Sequence, residues 1–195
     1  MGRPRNFDET AALDAAVETF RSRSYAGTST DDLCRATGLS RSSLYNTFDC
    51  KADLYRRCMT RYGDQKELDR RAALEGPGSG RELLEQLLAE TLADQRATPD
   101  LRGCLVINAA VEIGPSEADI ARMARDNLRA FQELLASLIR RGQEDGSIAD
   151  DATPDELAAV VHAAINGLQV SARVDGDPAA GPRAVRALMA LLRPR

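Results

Sequence analysis

The sequence predicts an all-α protein: an N-terminal three-helix helix-turn-helix domain followed by a C-terminal helical domain, about nine helices within 195 residues. Three observations carry that prediction. Apolar residues recur at helical spacing along most of the chain. Breakers sit between the periodic stretches. No stretch alternates apolar and polar residues for long enough to form a strand.

Leu13, Ala16, Val17 and Phe20 fall at i, i+3, i+4 and i+7, giving one apolar face to a first helix over residues 8–23, which Gly27 ends. Ser29, with Asp32 three residues on, opens a second helix as a capping-box-like pair, and Gly38 stops it after barely two turns. Ser40 caps a third short helix, residues 41–47. Its Leu44 and Phe48 face inward, while Arg41, Ser42, Ser43, Tyr45 and Asn46 are left outside. A long fourth helix is expected over residues 51–74, and the run Gly76-Pro77-Gly78-Ser79-Gly80 reads as a loop. Beyond it the periodicity predicts helices over 81–96, 101–113, 116–141, 154–174 and 183–192. Ser116 is the expected cap of the third of these. Thr153 caps the next, with Pro154 at the tolerated first position.

With 43% apolar and 29% charged residues, the composition suits a globular protein large enough to bury a core without staples. Aromatics are 4% and Trp is absent, so Leu, Ala, Val and Ile must fill that core. The longest stretch without a formal charge, residues 157–172, is interrupted by His162, Asn166, Gln169 and Ser171. It falls short of the ~20 apolar residues a membrane span requires. The first ten residues are polar and do not read as a secretory signal, so a cytoplasmic protein without a membrane partner is expected. Four cysteines lacking a CxxC pair and a single histidine support neither a disulfide framework nor a zinc site; no metal and no cofactor are expected. The net charge of -4 is uneven. Residues 1–62 carry ten basic and eight acidic side chains and the remainder sixteen and twenty-two, the sign expected if the N-terminal third meets a polyanion.

Thr37-Gly38-Leu39-Ser40 meets the requirements of a helix-turn-helix. The glycine allows a positive φ at the sharp turn, the leucine plugs the space between the helices, and the serine starts the second one. Taken alone, the turn fits an ordinary αα-turn equally well. The longer string over residues 7–20, 25–33 and 36–54 resembles the DNA-binding domain of the TetR/AcrR family of bacterial transcriptional regulators. Its Gly-Leu-Ser, Leu-Tyr-x-x-Phe and Lys-x-x-Leu elements stand in the family's order and spacing, with mild departures at Asn46 and Cys50.

The resemblance implies roles for individual residues. Ser29 and Thr30 would offer hydroxyls and amides to a phosphate. Arg41, Ser42 and Ser43 would face the major groove, where the planar fork of Arg41 suits guanine O6 and N7. Tyr45 and Asn46 would reach the DNA backbone or an adjacent base, and Lys51 a phosphate. Arg3 and Arg5 would lie in a neighbouring minor groove or simply be solvated. By the same resemblance, residues 1–50 form the DNA-binding domain and residues 51–195 the effector-binding and dimerisation domain. The implied partners are double-stranded operator DNA and an unidentified small molecule.

One helix-turn-helix offers too little contact for tight specific binding, so a homodimer reading two half-sites is expected. The last two helices are its candidate surface. Leu157, Val160, Val161, Ala164, Ile165, Leu168 and Val170 wrap more than one face, as do Val185, Leu188, Met189 and Leu192. Polar residues also interrupt the apolar helices. Cys104, Asn108 and Glu112 recur at i, i+4 and i+8, and His162 and Asn166 share a face of a later helix. These five are the effector-binding candidates, because buried polar groups need partners and a ligand is one. The alternative is that they bond one another, backbone carbonyls or a dimer seam.

The expected function is a ligand-responsive DNA-binding regulator, a repressor released from its operator by a small molecule. The alternatives are a redox- or electrophile-sensing regulator acting through Cys104 and a helical protein-binding adaptor without DNA contact. No nucleophile–base pair is readable, and an enzyme is not expected.

Overall fold

The computed structural model describes residues 7–96, 103–114, 116–174 and 177–194. Among them are nine α-helices and no strand. They are α1 (Glu9–Arg23), α2 (Thr30–Thr37), α3 (Arg41–Thr47), α4 (Lys51–Glu75), α5 (Gly80–Arg96), α6 (Leu105–Glu112), α7 (Ala118–Glu144), α8 (Pro154–Ser171) and α9 (Ala180–Leu191).

Several expected caps are present as hydrogen bonds. Ser29 and Asp32 form a full capping box at α2, Ser40 accepts the Ser43 amide at α3, and Thr153 and Glu156 form a second box at α8. Ser116 does not cap α7 as expected. Its hydroxyl donates to the carbonyl of Ile113 at 3.0 Å, closing the turn behind α6, and α7 starts two residues later.

The described residues form two compact units. One comprises Met1–Asp64 with Leu105–Ala124, the other Gln65–Cys104 with Arg125–Arg195. The physical reason lies in what α1 needs to cover it. The start of α4 is tied to α1 by Arg57–Glu9 at 3.3 Å, Arg61–Asp14 at 2.8 Å and the Cys58 thiol, whose Sγ lies 3.9 Å from the Leu13 carbonyl oxygen. Burial pushes the Cys58 thiol pKa up. Phe20 of α1 meets Tyr55 of α4 edge-on at 4.8 Å, and Tyr25 completes an aromatic cluster, its ring 5.1 Å from that of Tyr55. The helix α6 packs on α1 in the same unit.

The second unit has its own core of Leu84, Leu88, Leu135, Leu138, Ile139, Val161 and Ile165, drawn from α5, α7 and α8. At its tightest point α5 begins against α7. A Cβ on Gly80 would strike the backbone nitrogen of Gly142 and stand 2.5 Å from the Leu138 carbonyl oxygen, so only glycine permits this approach.

Candidate DNA-reading surface

Leu44, Thr47 and Phe48 of the α3 segment are buried, so the opposite face is left to Arg41, Ser42, Tyr45 and Asn46, all exposed. The turn that presents it follows the sequence expectation: Gly38 takes φ 72°, a left-handed conformation that ends α2.

The other polar groups expected at this surface are largely engaged. The Ser29 hydroxyl donates to the Asp32 carboxylate at 2.7 Å, and Ser40 lies within 3.0 Å of Ser42 and 2.9 Å of Ser43. Thr30 Oγ1 and the Tyr45 hydroxyl share a hydrogen bond of 2.7 Å. Arg41 Nη2 donates to Asp31 Oδ1 at 3.0 Å, and that bond raises the Arg41 pKa. Lys51 is half-buried with Nζ 4.3 Å from the centre of the Tyr25 ring, and desolvation lowers its pKa. Arg3 and Arg5 lie outside the described residues.

The sequence profile described as "Bacterial regulatory proteins, tetR family" matches residues 12–58, and that described as "Tetracyclin repressor-like, C-terminal domain" matches residues 80–188. The chain belongs to the tetR family. It is a ligand-responsive, DNA-binding transcriptional regulator. Among its relatives, the "HTH-type transcriptional repressor ComR" of Escherichia coli is 31% identical, with 88% of this chain and 82% of the relative aligned. The "Uncharacterized HTH-type transcriptional regulator YezE" of Bacillus subtilis is 29% identical over 91% and 92%. A solved structure of the TetR family regulator CifR, a cysteine mutant "complexed with 26bp double-strand operator DNA", superposes with a TM-score of 0.83 at 32% identity, covering 98% and 100% of the two chains. A tetR-family regulator from Agrobacterium tumefaciens, 20% identical, shares the fold with a TM-score of 0.84 over 94% and 96%.

In this tetR-family regulator the five effector candidates are dispersed. Glu112, at the end of α6, accepts the backbone amides of Tyr25 at 2.8 Å and Ala26 at 2.6 Å. Asn108 is half-buried on the same helix, and Cys104, a free half-buried thiol, stands just before it. His162 is buried on α8 and Asn166 half-buried one turn on. The His162 Nδ1 lies 3.3 Å from Gln132 Oε1, the ring meets Phe131 at 5.6 Å, and Nε2 is buried without a hydrogen-bond partner among the described residues. Desolvation lowers the His162 pKa. A cavity of about 500 Å³ in the second unit is lined by α5, α8 and α9, with Leu92, Leu168 and Val185 among its walls and Glu85 and Arg186 as its charged residues; none of the five candidates lines it.

Sequence reasoning missed four participants. Asp31, which bonds Arg41, Tyr25, whose ring faces Lys51, and Gln132, which meets His162, carry no local signal in the sequence that marks them. Gln95, on α5, bonds Gln169 on α8 at 3.2 Å inside the second unit. Periodicity assigns a face within one helix but not the side chain opposite it on another.

Proposed function

We propose that the regulator is a dimeric repressor that inserts α3 of each protomer into the major groove of a double-stranded operator and leaves it when a small molecule binds the second unit. The observation that carries this reading is the two-faced α3: apolar residues buried beneath, and Arg41, Ser42, Tyr45 and Asn46 exposed together at the end of a capped turn. In this reading Arg41, Ser42, Ser43, Tyr45 and Asn46 meet the groove, while Lys51, Thr30 and the first-turn amides beside Ser29 meet phosphates.

The names of relatives agree: ComR and DhaR are repressors, and CifR was solved on operator DNA. Dimerisation through α8 and α9 is supported by apolar side chains that their own unit leaves uncovered, with Val160 63%, Val170 53% and Leu191 82% exposed. For the effector, His162 Nε2, which has no hydrogen-bond partner among the described residues, with Asn166 one turn away, favours a ligand that hydrogen-bonds to α8. Glu112, committed to two amides, serves the N-terminal unit instead. The division into a reading part, residues 1–50, and an effector-binding and dimerising part, residues 51–195, is retained with residues 51–64 and 105–124 supporting the reading part. The tetR-family assignment favours neither Cys104 sensing nor a DNA-free adaptor.

A gel-shift with the duplex upstream of its own gene, combined with sedimentation, tests this reading. A complex of two protomers per duplex is expected. A monomer at micromolar concentration, or equal affinity for that duplex and random DNA, contradicts it.

A further inference from the structure

Two cross-links join the first turn of α2 to the outer face of α3. Thr30 and Asp31 are consecutive on α2, and Tyr45 and Arg41 lie one turn apart on one face of α3. Each of the first pair bonds one of the second, Thr30 with Tyr45 at 2.7 Å and Asp31 with Arg41 at 3.0 Å. The hydroxyl bond fixes the spacing at which the carboxylate faces the guanidinium. Both ends of the ion pair remain open to solvent, the Arg41 side chain 66% and the Asp31 side chain 74% exposed. As a stabilising contact, so exposed a pair is worth little. Its geometry has a consequence of another kind. The single bond uses one donor of a guanidinium that carries five, so a bidentate contact to guanine O6 and N7 is still available.

We propose that Asp31 determines sequence specificity without touching a base. This rests on the reading of Arg41 as a base reader. The carboxylate acts in two ways. It holds the Arg41 fork in one orientation, so that less side-chain freedom is lost when the correct guanine is met. It also places a negative charge beside the reader. On DNA without that guanine, Arg41 gains by swinging to a phosphate, and Asp31 opposes the swing by retaining the guanidinium and repelling the phosphate. Asp31 thus weakens non-specific binding more than it weakens specific binding.

The test uses the full chain and an operator selected by that chain from a random duplex pool. Affinities are measured for this operator, for single-base variants of it and for random duplex, with Asp31→Ala, Asp31→Asn, Arg41→Ala and the double variant. Arg41→Ala is expected to abolish base preference at one position. Asp31→Ala should reduce preference at that same position and raise random-duplex affinity by about two- to fivefold, with no further loss of preference in the Arg41→Ala background. Asp31→Asn, which keeps an acceptor oxygen but loses the charge, should raise random-duplex affinity while retaining more of the preference. The rise should shrink at high salt. The proposal is overturned if Asp31→Ala strengthens operator and random duplex equally and leaves every base preference intact. If Arg41→Ala changes no base preference, the reading of Arg41 itself falls, and the proposal with it. Thermal melts of each variant separate these outcomes from loss of the α2 first turn.

Discussion

The Glu112 carboxylate accepts the backbone amide of Tyr25 at 2.8 Å, a bond between residues 87 positions apart in the chain. Its second oxygen takes the Ala26 amide, so the segment between α1 and the Ser29 cap is held by a side chain of α6. Glu112→Ala should cost about 1–2 kcal/mol of stability, lower Tm by roughly 3–6 °C and weaken operator binding. Glu112→Gln, retaining one acceptor, should fall between. Melting curves and gel-shifts on the same samples check this; an unchanged Tm in Glu112→Ala contradicts it.

Lys51 sits over the Tyr25 ring at the start of α4, where a phosphate contact would draw its ammonium outward. Lys51→Ala should weaken binding to operator and random duplex alike and reduce the slope of log K against log salt by about 1. A salt titration of both duplexes measures it. A selective loss on the operator would assign Lys51 to base reading instead.

His162 is the single histidine of the chain, which isolates its titration. Burial lowers its folded pKa below the ordinary 6.5, so the unfolded chain takes up the proton first as the solution is acidified. Stability should therefore fall as pH drops through about 6.5 and level off below the folded pKa. His162→Gln should flatten that part of the profile. Denaturant unfolding at half-unit steps from pH 7.5 to 5 decides the matter; a profile unaffected by the substitution contradicts a buried neutral imidazole.

Asp32 closes the α2 cap, and hydrogen bonds from the Ser29 hydroxyl and amide bring its carboxyl pKa down to about 2. A depressed carboxylate stabilises the fold above its unfolded pKa, and that contribution disappears as pH falls through the folded value. Wild type should lose stability relative to Asp32→Asn between about pH 4 and pH 2. Carboxyl-carbon NMR should show the Asp32 midpoint well below the ordinary 3.8; a midpoint at that ordinary value removes the cap from the account.

Gly80 marks where sequence reading and structure part. Gly76 to Gly80 read as one loop, yet Gly80 is the first residue of α5, placed there because its missing side chain admits the backbone of α7. Gly80→Ala should destabilise by about 1–3 kcal/mol, as overpacking does, rather than stabilise as in an open helix. Chemical unfolding distinguishes the two signs.

The same contrast runs through the molecule. The caps at Ser29, Ser40 and Thr153, the left-handed Gly38 and the inward Leu44 and Phe48 were legible, because each is local chemistry within a turn of its signal. The shared face of Cys104, Asn108 and Glu112 was also legible, but what it faces was not. Glu112 meets amides 86 and 87 residues away, a pairing no window of sequence contains. Likewise the bond of Asp31 to Arg41 was not legible, since it depends on how the turn at Gly38 sets α2 against α3.

The central claim is that two outward-facing copies of α3 read one face of a duplex. Hydroxyl-radical footprinting of the full-length regulator on its self-selected operator tests it most directly. Two protected patches on one face, centred about 10 base pairs or a multiple of that apart, are predicted, with Arg41→Ala losing both together. A single patch, or a footprint that Arg41→Ala leaves unaltered, would contradict the account.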